Sequence, residues 1–128
     1  IESLNKQLLD SLEAEHSAQT SSIGQIFLDL SPYLKMYTVY VKHYSEASEF
    51  HAKLMKENSR YAQFLEDQAT SNVHLVRHRS LADFLIMPIQ RVPRYRMLLE
   101  ELVKRTFGDD QEKAVLTSAL IKVTAVAR

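Results

Sequence analysis

Only two glycines and three prolines punctuate the 128 residues of this chain, and that scarcity constrains the fold more than any other feature. A β-rich domain of this size needs many turn residues, because Gly, Pro, Asn and Asp supply the backbone geometries that reverse strands. Nor can a glycine-rich phosphate loop be assembled from the isolated Gly24 and Gly108. The fold class that follows is all-α, and the length points to one domain.

Leu4, Leu8 and Leu12 lie four apart, with Ile1 and Leu9 nearby, which predicts an amphipathic helix over residues 1–17. The polar run Ser17–Ser22 reads as a loop, and Ser22 with Gln25 forms a capping-box pattern at the next helix start. Ser31-Pro32 predicts a fresh helix, with Ser31 as N-cap and Pro32 at the first position, where its missing N–H costs nothing. From Pro32 to Lys56 the pattern stays helical, with Leu34, Tyr37, Val41, Tyr44, Ala47 and Leu54 on one face. Asn58-Ser59 break it. A shorter helix carries Tyr61, Phe64 and Leu65, and another starts near Asn72 or Ser80 and runs into Leu81–Met87. Pro88 and Pro93 interrupt or kink the chain ahead of a strong helix through Arg105. Phe107-Gly108 closes that helix, and Asp109-Asp110-Gln111-Glu112 starts a last one bearing Val115, Ala119, Leu120 and Val123. Short connections between long amphipathic helices predict an elongated helical bundle.

Several kinds of chemistry are poorly supported. Sixteen Lys and Arg balance sixteen Asp and Glu, which argues against binding nucleic acid through bulk positive charge. With no cysteine there is no disulfide framework, thiolate zinc site or cysteine nucleophile. No apolar run is long enough for a membrane-spanning helix, and the first residues lack the pattern of a signal peptide. Glu13 and His16 form one Glu-x-x-His pair, but a di-iron bundle needs a second pair and two further glutamates. This one reads as a solvated face. His74 and His78 would share a helix face, yet no third ligand or general-base glutamate accompanies them, so they read as surface or boundary histidines. No metal or cofactor is expected.

The informative segment runs from Leu81 to Leu99. On a helical wheel at about 100° per residue, Val92, Tyr95, Leu99, Leu102 and Val103 form a core face. Arg96, Glu100 and Lys104 form a solvated edge. Met87, Gln90, Arg94, Met97, Leu98, Glu101 and Arg105 fall within about 60° of Arg94 as a third stripe. Its blend of Met, Leu, Gln, Glu and Arg fits a face on which a protein partner docks. It equally fits a bundle boundary with snorkelling arginines.

At these residues the sequence resembles a Dbl-homology domain, the exchange-factor module for Rho-family GTPases. The third signature block of that family reads Leu-Ile-x-Pro-(Ile/Val)-Gln-Arg-(Ile/Val)-x-(Arg/Lys)-Tyr-x-x-Leu-Leu, and Leu85 through Leu99 matches nearly every fixed position. Ile23–Leu28 and Tyr33–Tyr37 resemble the second block, and the wording of Leu34–Tyr37 and Gln90–Tyr95 is similar to the faciogenital-dysplasia branch. The resemblance implies a domain over residues 1–128 truncated at both ends. The first block, with a glutamate that engages switch I, would precede Ile1, and a terminal asparagine would follow Arg128.

The resemblance also implies that Arg94 contacts the GTPase switch region, with Gln90 one turn earlier, and that Tyr95 and Leu99 are core. Met87 stands where many members have lysine. Met87, Gln90, Arg94, Met97, Leu98 and Glu101 are thus the expected GTPase-binding residues, with no catalytic, metal or cofactor residue. The implied partner is a GTPase of Rho, Rac or Cdc type. The implied setting is cytoplasmic, recruited to membrane or cortical actin, with membrane contact only through a neighbouring domain such as a pleckstrin-homology domain. A non-catalytic GTPase-binding module and an unrelated helical scaffold are the alternatives.

Overall fold

Leucines at four-residue spacing put one apolar face along the first helix, α1 (Glu2–Ala18), and Leu4 and Leu8 on that face are buried. This is a computed structural model, and it describes residues 1–18, 23–107 and 110–127. Helix α2 is Ile23–Leu30, and a 3₁₀ turn over Ser31–Lys35 leads into α3 (Met36–Glu57). Then come α4 (Ser59–Ser71), α5 (Val73–Val76), α6 (Leu81–Leu85), α7 (Met87–Arg105) and α8 (Asp110–Val126). No strand occurs among the described residues, as the glycine and proline counts require.

The chain divides into two compact units, residues 1–39 with 90–128, and residues 40–89. Among the described residues, the first holds every buried apolar side chain: Leu4 and Leu8 of α1, Phe27 and Leu30 of α2, Leu34, Tyr37, Val92 and Leu99, and Leu116, Ala119 and Val123 of α8. Helices α2 and α8 approach so closely at Gly24 that a Cβ there would lie 2.9 Å from both the Leu116 backbone nitrogen and Val115 Cγ1. Glycine is needed at this position for space, since its backbone is ordinary helix.

The second unit has no fully buried residue between 40 and 89. Its helices are positioned by polar contacts. Tyr40 donates its hydroxyl proton to the Leu85 carbonyl. Asn58 caps α4 by accepting from the Tyr61 N–H at 3.0 Å. His51 Nδ1 meets the Tyr61 hydroxyl at 2.8 Å, with the two rings edge to face. Ser80 and Asp83 form a reciprocal capping box that starts α6.

Four expectations are corrected. Ser31 does not cap a helix: its hydroxyl donates back to the Leu28 carbonyl, and the chain passes through the 3₁₀ turn before α3 begins at Met36. Val41 and Ala47, assigned to the apolar face of α3, are exposed. The segment after Asn72 is two short helices, divided where Arg77 and His78 take left-handed backbone conformations, φ 49° and 65°. Pro88 and Pro93 do not interrupt the next helix. Pro88 lies in the first turn, where no N–H is required, and α7 runs through Pro93 at the loss of the bond its N–H would make to Ile89. The capping pattern at Ser22 and the closure at Gly108 fall outside the described residues.

Candidate functional site

Helix α7 sorts its side chains much as the helical wheel requires. Val92 and Leu99 are buried, at 4% and 0% exposure, and Tyr95, Leu102 and Val103 pack partly buried against the same core. On the opposite side Arg94 is exposed, with Met97 at 58% and Leu98 at 62%. Glu101 and Arg105 continue this exposed stripe toward the C-terminus of the helix. Gln90 is half-buried, as is Met87, which belongs to the other compact unit.

The polar members of the stripe are held by neighbours one turn away. Arg94 Nη2 donates to Gln90 Oε1 at 3.2 Å, so the amide orients the guanidinium along the helix surface. Glu101 accepts from Lys104 at 3.3 Å and lies 3.5 Å from Arg105 Nε. These are exposed pairs, each worth little in stability. They do set the local charge: one carboxylate between two cations, with the Arg94 guanidinium a further positive group two turns earlier. Met97 and Leu98 supply exposed apolar area between them. The stripe thus combines exposed apolar area with the donors of Arg94 and the paired carboxylate of Glu101.

The edge expected to be solvated is only partly so. Lys104 is 69% exposed, but Arg96 and Glu100 retain only 40% and 41% side-chain exposure. Arg96 Nε is buried without a hydrogen-bond partner, 3.6 Å from Glu100 Oε1. Leu120, Ile121, Thr124 and Ala125 of α8 border a cavity together with Glu100.

Sequence reasoning missed the contacts that orient α7. The Tyr95 hydroxyl donates to Asn5 Oδ1, and Asn5 Nδ2 donates to the Tyr37 hydroxyl at 2.6 Å and to the Ile1 carbonyl at 2.9 Å. Phe27 meets the Tyr95 ring edge to face at 5.6 Å, while the Arg91 guanidinium lies 5.8 Å from its centroid. Burial pushes the Tyr95 phenol above its ordinary value, Tyr37 adds to the rise, and Arg91 opposes it. An asparagine inside a leucine-rich helix was the available signal. The other candidate pairs stay apart from this chemistry. Glu13 and His16 are exposed, as are His74 and His78, the left-handed turn takes His78 off the helix of His74, and no metal-ligating cluster exists among the described residues.

Comparison with known proteins covers the whole chain. The sequence model of the RhoGEF domain family matches residues 1–128. The chain is 35% identical over 96% of its length to the guanine exchange factor for Rac 30 of Dictyostelium discoideum, covering 7% of that protein. It is 31% identical over 97% of its length to the human FYVE, RhoGEF and PH domain-containing protein 6, covering 9% of that protein. In structure it matches the Vav1 exchange factor, solved in a study of its PH and C1 domains, with TM-score 0.86 and 27% identity over 98% of this chain and 34% of that one. The chain therefore spans under a tenth of each of these two curated relatives, and they do not single out one branch.

Proposed function

This chain belongs to the RhoGEF domain family, and from that premise we propose that it binds a Rho-family small GTPase and promotes release of its guanine nucleotide. The docking face is the part of the α7 stripe that lies in the first unit: Gln90, Arg94, Met97, Leu98 and Glu101. The observation that carries this reading is that Arg94, Met97, Leu98 and Glu101 stand exposed on one face while Val92 and Leu99 fix the other in the core. Met97 and Leu98 offer apolar contact, and Arg94, aligned by Gln90, offers donors to a partner's carboxylates or carbonyls.

No covalent step is involved. The domain favours the nucleotide-free, open form of the GTPase, and release is the population shift that follows from this difference in affinity. Linkage makes the effect reciprocal: the factor by which the domain weakens nucleotide binding is the factor by which nucleotide weakens the domain's own binding. Rac-type GTPases are the first candidates, because the Dictyostelium relative is described as an exchange factor for Rac.

The test is Arg94→Glu. Arg94 is exposed, so the helical circular-dichroism signal should stay intact. Affinity for a nucleotide-free Rho, Rac or Cdc-type GTPase should fall about thirtyfold, the effect of losing roughly 2 kcal/mol at an interface hot spot. Release of a fluorescent nucleotide should slow in parallel. Unchanged affinity across the whole panel would remove the stripe from the docking face. Binding without any acceleration of release would favour a non-catalytic GTPase-binding module.

A further inference from the structure

The turn between α5 and α6 has a chemistry that the docking stripe does not use. From Gln68 to Ala82 the chain has no acidic residue, yet it places His74, Arg77, His78 and Arg79 close together. All four are exposed. Among the described residues, ion pairs join Lys53 to Glu57, Arg96 to Glu100, and Glu101 to Lys104 and Arg105, and none lies at this turn. In its midst Leu75 is 79% exposed and Val73 44% exposed.

The backbone holds this arrangement. Arg77 donates its N–H to the Val73 carbonyl at 3.0 Å, and Arg79 donates its own to Val76 at the same distance. Between them Arg77 and His78 both occupy the left-handed region. Two consecutive non-glycine residues there are uncommon, and such outliers persist where the surrounding structure over-determines them. Val76 and Arg79 border a cavity of about 470 Å³ with Leu65, Leu81 and Phe84 of the same unit. Leu75, absent from that lining, is left to solvent. The acidic groups nearest the turn act on Arg79. The Asp83 carboxylate accepts from the Ser80 N–H and feels the charge of Arg79, and Glu66 shares the cavity border with it.

We propose that residues 73–79 form a membrane-contact site, in which Leu75 enters the headgroup region of an anionic lipid surface while Arg77, flanked by His74 and His78, engages its phosphates and carboxylates. Charge complementarity selects the anionic surface, and the exposed leucine selects lipid over other polyanions. A nucleic acid gains nothing from Leu75, the turn has no Phe, Tyr or Trp on which a base could stack, and the chain as a whole carries no surplus positive charge. A phosphopeptide requires a cleft of converging arginines, whereas Arg77 is exposed and is absent from the lining of the neighbouring cavity. One leucine and two arginines make a weak contact, suited to orienting a domain already held near a membrane.

The test is co-sedimentation of the 128-residue chain with phosphatidylcholine vesicles containing about 30% phosphatidylserine, compared with phosphatidylcholine alone. Binding is expected to the anionic vesicles only and to disappear at high salt. Arg77→Asn removes the charge with a residue that tolerates the left-handed backbone, and should lower partitioning about fivefold. Leu75→Ser should also weaken it. The chain has no tryptophan, so Leu75→Trp provides a single emission reporter, expected to shift to the blue on anionic vesicles. Absence of binding to anionic vesicles overturns the proposal. So does binding that neither Arg77→Asn nor Leu75→Ser changes, emission from Leu75→Trp that stays unshifted, or binding to an oligonucleotide or phosphopeptide in place of vesicles.

Discussion

Leu98 and Leu99 are neighbours of identical composition with opposite surroundings, so truncating each to alanine isolates what burial contributes to α7. Leu99 is 0% exposed and belongs to the main core, whereas Leu98 is 62% exposed on the stripe. Leu99→Ala deletes three carbons, which at about 0.8 kcal/mol each is roughly 2.4 kcal/mol of lost transfer free energy. A residual cavity of about 50 Å³, at about 24 cal/mol per Å³, adds roughly 1.2 kcal/mol. The expected cost is therefore about 3.5 kcal/mol. The same arithmetic on the shielded third of Leu98 gives below about 1 kcal/mol, part of which the higher helix propensity of alanine offsets. With a slope of about 1.5 kcal/mol per molar urea, Leu99→Ala should lower the unfolding midpoint by about 2 M and Leu98→Ala by under about 0.5 M. Far-UV circular dichroism during urea titration reads both. Equal midpoints would mean that the faces of α7 are assigned wrongly, and the docking stripe would fail with them. Conversely, GTPase binding should suffer more from Leu98→Ala.

Three further outcomes follow from the packing and the hydrogen bonds. Gly24→Ala should destabilise in urea titration by about 1–3 kcal/mol through overpacking, although alanine is the better helix former, because its Cβ would meet the Leu116 backbone at 2.9 Å. A stabilised variant would show that α2 and α8 can separate freely. Tyr95→Phe should cost about 1–2 kcal/mol by leaving Asn5 Oδ1 without its donor. The folded-state phenol titrates above its ordinary value, so its contribution is complete below about pH 10 and is lost as pH rises through the raised folded value. Tyr95→Phe should accordingly flatten the alkaline loss of stability, and an unchanged alkaline profile counts against the network. Ser80→Ala should let the Asp83 carboxyl rise only part of the way toward its usual value in an NMR titration, since the backbone N–H bond that lowers it most survives and only the side-chain bond is lost, and should speed exchange of the Asp83 amide, which loses its Ser80 Oγ acceptor.

The amino-acid sequence by itself determined the helical class, through its lack of turn residues, and most of the helices, through the spacing of their leucines. It also determined which residues of α7 share a face, because a helix of known period assigns every side chain an angle before any partner is present. The signature from Leu85 to Leu99 pointed to the family through its resemblance to that family's third block. What the sequence left open was what lies against each face, since contacts between residues far apart in the chain have no local pattern. Arg96 and Glu100 read as solvated, yet their side chains keep only 40% and 41% exposure. The sequence singled out no role for Asn5, whose amide the structure places between Tyr37 and Tyr95. Gly24 read as isolated until the backbone of α8 occupied the space of its missing side chain. Local propensity also failed at Pro93, where a continuous helix forms despite the lost donor, because burial of Val92 and Leu99 on either side outweighs one missing hydrogen bond.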